Sequence, residues 1–127
     1  MTENEIAKIV VDAAYHIHAN LGPGLLESAY QSILVYELKK RGLRFESEVL
    51  VPIIYDGSIL ETGFRADLIV EDKVIIELKS IEQIAPVHKK QLLTYLRLTG
   101  KKLGLLVNFG EALIRNGITR IANGMPE

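Results

Sequence analysis

Phe64-Arg65-Ala66-Asp67-Leu68-Ile69-Val70-Glu71-Asp72-Lys73-Val74-Ile75-Ile76-Glu77-Leu78-Lys79 sets two apolar runs of strand length on either side of a charged triplet. A strand alternates its faces, so Glu77 and Lys79 point one way and Leu78 points into the core. Glu71-Asp72-Lys73 reads as a tight hairpin turn, and the folded hairpin brings Asp67 beside Glu77. Two carboxylates and an ammonium then share one face among aliphatic neighbours. Hard oxygen donors of this kind suit Mg²⁺ or Mn²⁺. A lysine beside them can hold a water or offset charge developing on a phosphate. The same spacing also fits Glu77 and Lys79 as a solvated ion pair on an exposed strand face.

Outward from this hairpin, the chain changes period several times. Residues 5–19 carry Ile6, Ile9, Val10, Ala13, Ala14 and Ile17 as one helical stripe. Leu21-Gly22-Pro23-Gly24 ends that helix. A second helix is expected from about Leu25 to Arg41, with Ala29, Ile33, Leu34 and Leu38 inward, closed by Gly42. From Leu43 the period becomes two: Phe45, Val49, Val51, Ile53 and Tyr55 mark a first strand, and Asp56-Gly57 is a hairpin turn. The second strand covers about 59–70 and the third 73–79. A third helix spans 84–99, with Pro86 tolerated in its first turn and Gly100 as its cap. Leu103-Gly104-Leu105-Leu106-Val107-Asn108-Phe109 has the unbroken apolar character of a central strand. Residues 114–121 add a short edge strand. The order is α-α-β-β-β-α-β, and the last of these strands returns parallel to the third through a helical crossover. This is an α/β fold with a mixed sheet flanked by helices.

A chain of 127 residues, 48% apolar and 24% charged, is expected to form one domain over 1–127 with a real core. It has no cysteine, which excludes a thiolate zinc site, an iron–sulfur cluster and a cysteine nucleophile. No apolar stretch reaches the length of a membrane span and the start lacks a basic signal-peptide region, so the expected location is the cytoplasm. Net charge is −1, but unevenly placed. Residues 1–72 hold six Lys/Arg against twelve Asp/Glu, whereas residues 73–127 hold nine against four. Lys89, Lys90, Arg97, Lys101 and Lys102 gather in the third helix and the turn after it, as a face for a phosphate backbone or as ordinary solvated charge.

Glu27 lies near the start of the second helix, three residues before Tyr30 on the same face. It reads either as a site carboxylate or as a favourable charge at a helix N-terminus; Tyr30 reads as a partly buried packing residue. In the third helix His88, Gln91 and Tyr95 form a polar stripe beside Leu92, Leu93 and Leu96, which lines a cleft or the helix's exposed edge. His16 and His18 have no metal-site spacing. No phosphate-binding P-loop, nucleophile elbow or dinucleotide fingerprint is present, and no helix-turn-helix.

Together these residues resemble a known family. Asp67 followed by Glu77-Leu78-Lys79 is similar to the signature of the PD-(D/E)XK nuclease superfamily, whose core order α-β-β-β-α-β matches the reading above. Gln91-Leu92-Leu93-Thr94-Tyr95 resembles the Q-x-x-x-Y motif of its RecB-like branch, and Gly24-Leu25-Leu26-Glu27-Ser28-Ala29-Tyr30 the motif of the GxxExxY proteins. The resemblance covers about 16–109. It implies a metal-dependent nuclease in which Asp67, Glu77 and the carbonyl of Leu78 ligate Mg²⁺ (or Mn²⁺). Glu27 would complete the shell directly or through water. Lys79 would serve the attacking water, and Gln91 and Tyr95 would orient Lys79 or a phosphate. Ala66 stands where the superfamily's label has proline. The implied partner is nucleic acid, DNA first, with no membrane, and a homodimer or an unidentified partner protein could supply further surface. The alternative is a non-catalytic nucleic-acid-binding or interaction module that keeps the fold.

Overall fold

The computed structural model describes residues 1–125, apart from the side chain of Thr62; Pro126 and Glu127, the end of the expected 1–127 domain, lie outside the described residues. In chain order the elements are α1 (Glu3–Leu21), α2 (Glu27–Lys40), β1 (Phe45–Tyr55), β2 (Ser58–Val70), β3 (Val74–Lys79), α3 (Pro86–Thr99), β4 (Leu103–Asn108), a 3-10 turn (Ile114–Asn116) and β5 (Ile118–Ala122). Among the described residues five strands form one sheet, in the order β1-β2-β3-β4-β5. Only β3 and β4 run parallel, as a crossover through α3 requires; the other neighbours are antiparallel.

Each helix forms for a local reason. Thr2 and Glu5 make a reciprocal capping box at the start of α1, and its stripe of Ile6, Val10, Ala13, Ala14 and Ile17 is buried. α2 begins at Glu27 rather than near 25, because Leu26 is its extended N-cap; Leu25 and Leu26 stay exposed. α3 starts on Pro86 and ends at Gly100, whose φ of 71° is the left-handed cap. α1 and α2 cover one face of the sheet, over Leu68, Val70, Val74, Ile76, Leu78, Leu105 and Val107. α3 covers the other through Leu92 and Leu96, over Ile69, Ile75 and Leu106. Gly104 lets α3 come close: a Cβ there would lie 2.9 Å from the Leu92 side chain. β4 is buried on both faces, as its unbroken apolar run implies.

Three expectations need correction. Residues 114–121 are not one strand, since Ile114–Asn116 is a 3-10 turn and β5 is only Ile118–Ala122. Tyr30 is fully rather than partly buried. The period-two set that marks β1 also does not keep to one buried face. Tyr55 is 72% exposed at the hairpin tip. Phe45 packs on the α1/α2 side, whereas Val49, of the same parity, packs on the α3 side. β2 does likewise, with Leu68 and Val70 in the first core and Ala66 and Phe64 against the second. The changeover falls where the ladder skips a pair, between Ser47↔Leu68 and Val49↔Ala66; the skipped residues are Glu48, at φ 53°, and Asp67. A local break in pairing re-aims the side chains around it, and here it falls on Asp67.

Candidate active site

The β2–β3 hairpin sets the first two groups. Its register pairs Leu68 with Ile76, Ile69 with Ile75 and Val70 with Val74, and one further step puts Asp67 opposite Glu77. Glu71 and Asp72, both left-handed at φ 53° and 55°, make the primed turn that suits a tight hairpin, closed by the Lys73 N–H on the Val70 carbonyl at 3.0 Å. The Glu71 carboxylate accepts the Arg44 backbone N–H at 2.7 Å, which offsets strain in a turn without glycine. Beyond Leu68 the ladder stops, and the Asp67 carboxylate takes over as acceptor: Oδ2 binds the Leu78 N–H at 2.8 Å.

Glu27, Asp67, Glu77, Lys79, Gln91 and Tyr95 all line one cleft of about 200 Å³. Arg65, His88 and Leu106 complete its wall. A larger hollow of about 390 Å³ by Arg44, Glu71 and Asp72 holds an exposed ion pair and no comparable convergence. Asp67 and Glu77 stand together and Glu27 sits at the cleft edge, exposed. Among the described residues no three acidic or histidine side chains are grouped tightly enough to cage a metal by themselves. Leu78 contributes its N–H to Asp67, and its side chain is in the core.

Electrostatically the acid pair is unfinished. Glu77 is 9% exposed, and its Oε1 is buried without a hydrogen-bond partner among the described residues. Its pKa is raised from 4.5 to about 9, first by burial and then by the neighbouring Asp67, whose charge outweighs the lowering by Lys79. Tyr95 is raised too, first by burial and then by the charges of Glu77 and Asp67, so its hydroxyl stays a donor. An orphaned carboxylate oxygen beside a second carboxylate calls for a proton or a cation. The oxygen-only donor set fits a hard divalent ion.

The frame behind these groups was not legible in advance. Tyr30 stacks on Phe109 with ring centroids 4.3 Å apart, and its hydroxyl binds the Gly22 carbonyl and accepts the Leu25 N–H. It thereby shapes the turn from which Glu27 emerges. The Ser80 hydroxyl donates to the Leu25 carbonyl, joining that turn to the end of β3. Gln31, one turn beyond Glu27, donates to the Asp67 carbonyl at 3.3 Å and to Glu48 at 2.9 Å. Asn108 is fully buried, with Oδ1 accepting from Ile81 and Gly110, both at 3.0 Å, and Nδ2 donating to the Ile81 carbonyl at 2.9 Å. The Lys79 carbonyl accepts the Phe109 N–H at 2.9 Å. The end of β4 thus clamps the chain immediately after Lys79. The sequence signals that would have marked them are, for Asn108, its being the one amide in an apolar strand and, for Gln31, its spacing from Glu27.

Asn108→Ala is expected to cost ~2–4 kcal/mol, since it leaves the Ile81 and Gly110 amides without their partner. Urea denaturation checks this, and a loss under about 0.5 kcal/mol would remove Asn108 from the frame.

One part of the expected basic face is elsewhere. Lys101 Nζ binds the Asp72 carbonyl at 2.9 Å and its carboxylate at 3.1 Å, at the turn between β2 and β3. That turn is at the end of the hairpin away from Lys79, so Lys101 and its neighbour Lys102 do not flank the cleft. Lys89 and Lys90, in the first half of α3 beside His88 and Gln91, are exposed on the cleft's side of the helix length.

α3 thus crosses between the parallel strands β3 and β4, and an Asp/Glu/Lys set stands at the open end of the β2–β3 hairpin. A family description, the PD-(D/E)XK nuclease superfamily, matches residues 4–121, and the chain belongs to that superfamily. No curated protein and no solved structure matches it. Among the described residues no helix is long and apolar enough to cross a membrane.

Proposed function

We propose that the protein is a metal-dependent nuclease that hydrolyses phosphodiester bonds of nucleic acid, DNA first, and that it belongs to the GxxExxY group of the RecB-like branch. The observation that carries this is the buried, unpartnered Glu77 Oε1 beside Asp67, with Lys79 in the same cleft. Membership of a nuclease superfamily supports it. Cysteine-free composition suits a reducing compartment, in keeping with a cytoplasmic protein.

Asp67 through Oδ1, Glu77 and the Leu78 carbonyl would hold Mg²⁺ or Mn²⁺, with Glu27 acting through water. When bound, the ion would supply Lewis-acid charge at the phosphate and make a bound water a better nucleophile. The residues do the rest. Lys79 is partly buried and, among the described residues, makes no ion pair, so its ammonium is available to a water or a phosphate oxygen. Gln91 and Tyr95, one turn apart on α3, supply neutral donors that orient the phosphate without adding charge. The stacked Phe64 ring holds Tyr95 in place, with centroids 3.4 Å apart. The water oxygen attacks phosphorus, the bond to the leaving alcohol breaks, and the water's proton passes to solvent as the alkoxide takes one up.

The test is cleavage of single- and double-stranded DNA and RNA with Mg²⁺ or Mn²⁺. Cleavage should need the metal and be lost in Asp67→Asn. Bound metal with no cleavage of any substrate would instead favour the non-catalytic nucleic-acid-binding or interaction module.

A further inference from the structure

Two side chains of the cleft wall, Arg65 and His88, have no part in the chemistry above. His88 is half-buried, and its Nδ1 accepts the Ala85 N–H at 3.0 Å, across the first turn of α3. A ring nitrogen that accepts carries no hydrogen, so neutral His88 has its proton on Nε2. Its free edge is therefore a donor. Arg65 lies two residues before Asp67 and is exposed; its contact is one long bond from Nη1 to the Glu48 carbonyl, 3.4 Å. Three carboxylates line the same cleft, yet among the described residues Arg65 pairs with none. Most of its planar fork is left for a ligand, and such a fork matches two oxygens of one phosphate. With Lys79, Gln91 and Tyr95 serving the reacting phosphate, these donors exceed what one phosphate can use.

We propose that Arg65 and His88 bind the phosphate next to the one cleaved, so that the site takes a polynucleotide strand with successive phosphates rather than a lone phosphodiester. This rests on reading the cleft as a nuclease site and names its substrate more narrowly. The competing account makes His88 only a helix cap and Arg65 only a solvated cation.

His88→Asn separates the two accounts. The Asn Oδ1 falls near the place of Nδ1 and keeps the Ala85 bond, but no atom reaches the place of Nε2. Binding of a fluorescent oligonucleotide to metal-free protein at low salt is read by anisotropy, which needs no turnover. His88→Asn and Arg65→Gln should each weaken it about tenfold or more, the size of one lost charge-assisted hydrogen bond, with melting temperature unchanged. With metal, the wild type should cleave a trinucleotide faster than a dinucleotide, and the ratio should collapse in the double variant. Unchanged binding in both variants, or an unchanged ratio, overturns the proposal. If His88→Asn fails to fold, Arg65→Gln at its exposed position decides alone. If the wild type cleaves nothing while strand binding still depends on Arg65 and His88, the nuclease reading falls, and with it the place of this phosphate beside a cleaved one; a strand-binding cleft is what remains. Cleavage present with binding indifferent to both side chains gives the reverse.

Discussion

Glu77→Gln will abolish metal-dependent cleavage and at the same time raise the melting temperature of the metal-free protein at pH 8. The two effects share one cause. Glu77 is nearly buried, with one oxygen unpartnered and Asp67 beside it, so its charged form is disfavoured and its pKa stands at about 9. In the unfolded chain it returns to about 4.5. Between these values the folded protein holds a proton that the unfolded protein has released, so stability falls as pH rises. The contribution is complete below about 4.5 and exhausted above about 9. Each pH unit inside the window is worth up to ~1.4 kcal/mol. From pH 5.5 to 8.5 the metal-free wild type should therefore lose ~2–4 kcal/mol, roughly 10 °C in melting temperature for a domain of this size. Glutamine has no such proton to hold, so its curve should be flatter. Mg²⁺ should reverse the trend in the wild type, because a cation replaces the proton most easily where the proton is least available. Thermal melts at three pH values, with and without Mg²⁺, measure all of this. A wild-type profile as flat as the variant's would show that Glu77 is ionised and satisfied without metal.

Strand alternation in β3 and the short turn after β2 were enough to place Asp67, Glu77 and Lys79 on one side of the sheet, because side-chain parity survives in a short, fully buried strand. The stripe of His88, Gln91 and Tyr95 was legible for the same reason in a helix. What sequence could not supply was the break at Glu48 and Asp67. The skipped ladder pair and the left-handed glutamate lie within the long β1–β2 hairpin, and neither residue type advertises them. Strict alternation therefore finds β1 but does not hold along its whole length. The basic cluster failed differently: linear proximity along α3 joined Lys89, Lys90 and Lys101, but a helix of 14 residues spans about 20 Å and puts its two ends at opposite ends of the sheet. The frame of Tyr30, Phe109, Ser80 and Asn108 depends on contacts between elements far apart in sequence, such as Ser80 with Leu25. No single segment holds that information.

Lys79→Ala should reduce cleavage by roughly 10²–10³-fold, the range for removing one positioned proton-handling or charge-stabilising group. The fold should tolerate it, since the backbone at Lys79 is held independently of its side chain by the Phe109 N–H, and the next turn by Asn108. Metal binding should also survive, and here two charge effects compete. Removing an ammonium beside two carboxylates makes the cleft more negative, which favours a cation. It also removes the one influence of Lys79 on Glu77, a lowering of its pKa that burial and Asp67 already outweigh. The net expectation is a Mg²⁺-induced rise in melting temperature at pH 8 close to that of the wild type, while kcat collapses. Asp67→Asn should lose both together, because it removes ligand charge. That contrast separates a group acting on water and phosphate from one acting on the ion. If Lys79→Ala also lost the thermal response to Mg²⁺, Lys79 would act through the carboxylates. If it cleaved at the wild-type rate, the attacking water would need a different partner, with Gln91 and Tyr95 the next donors to test in the cleft.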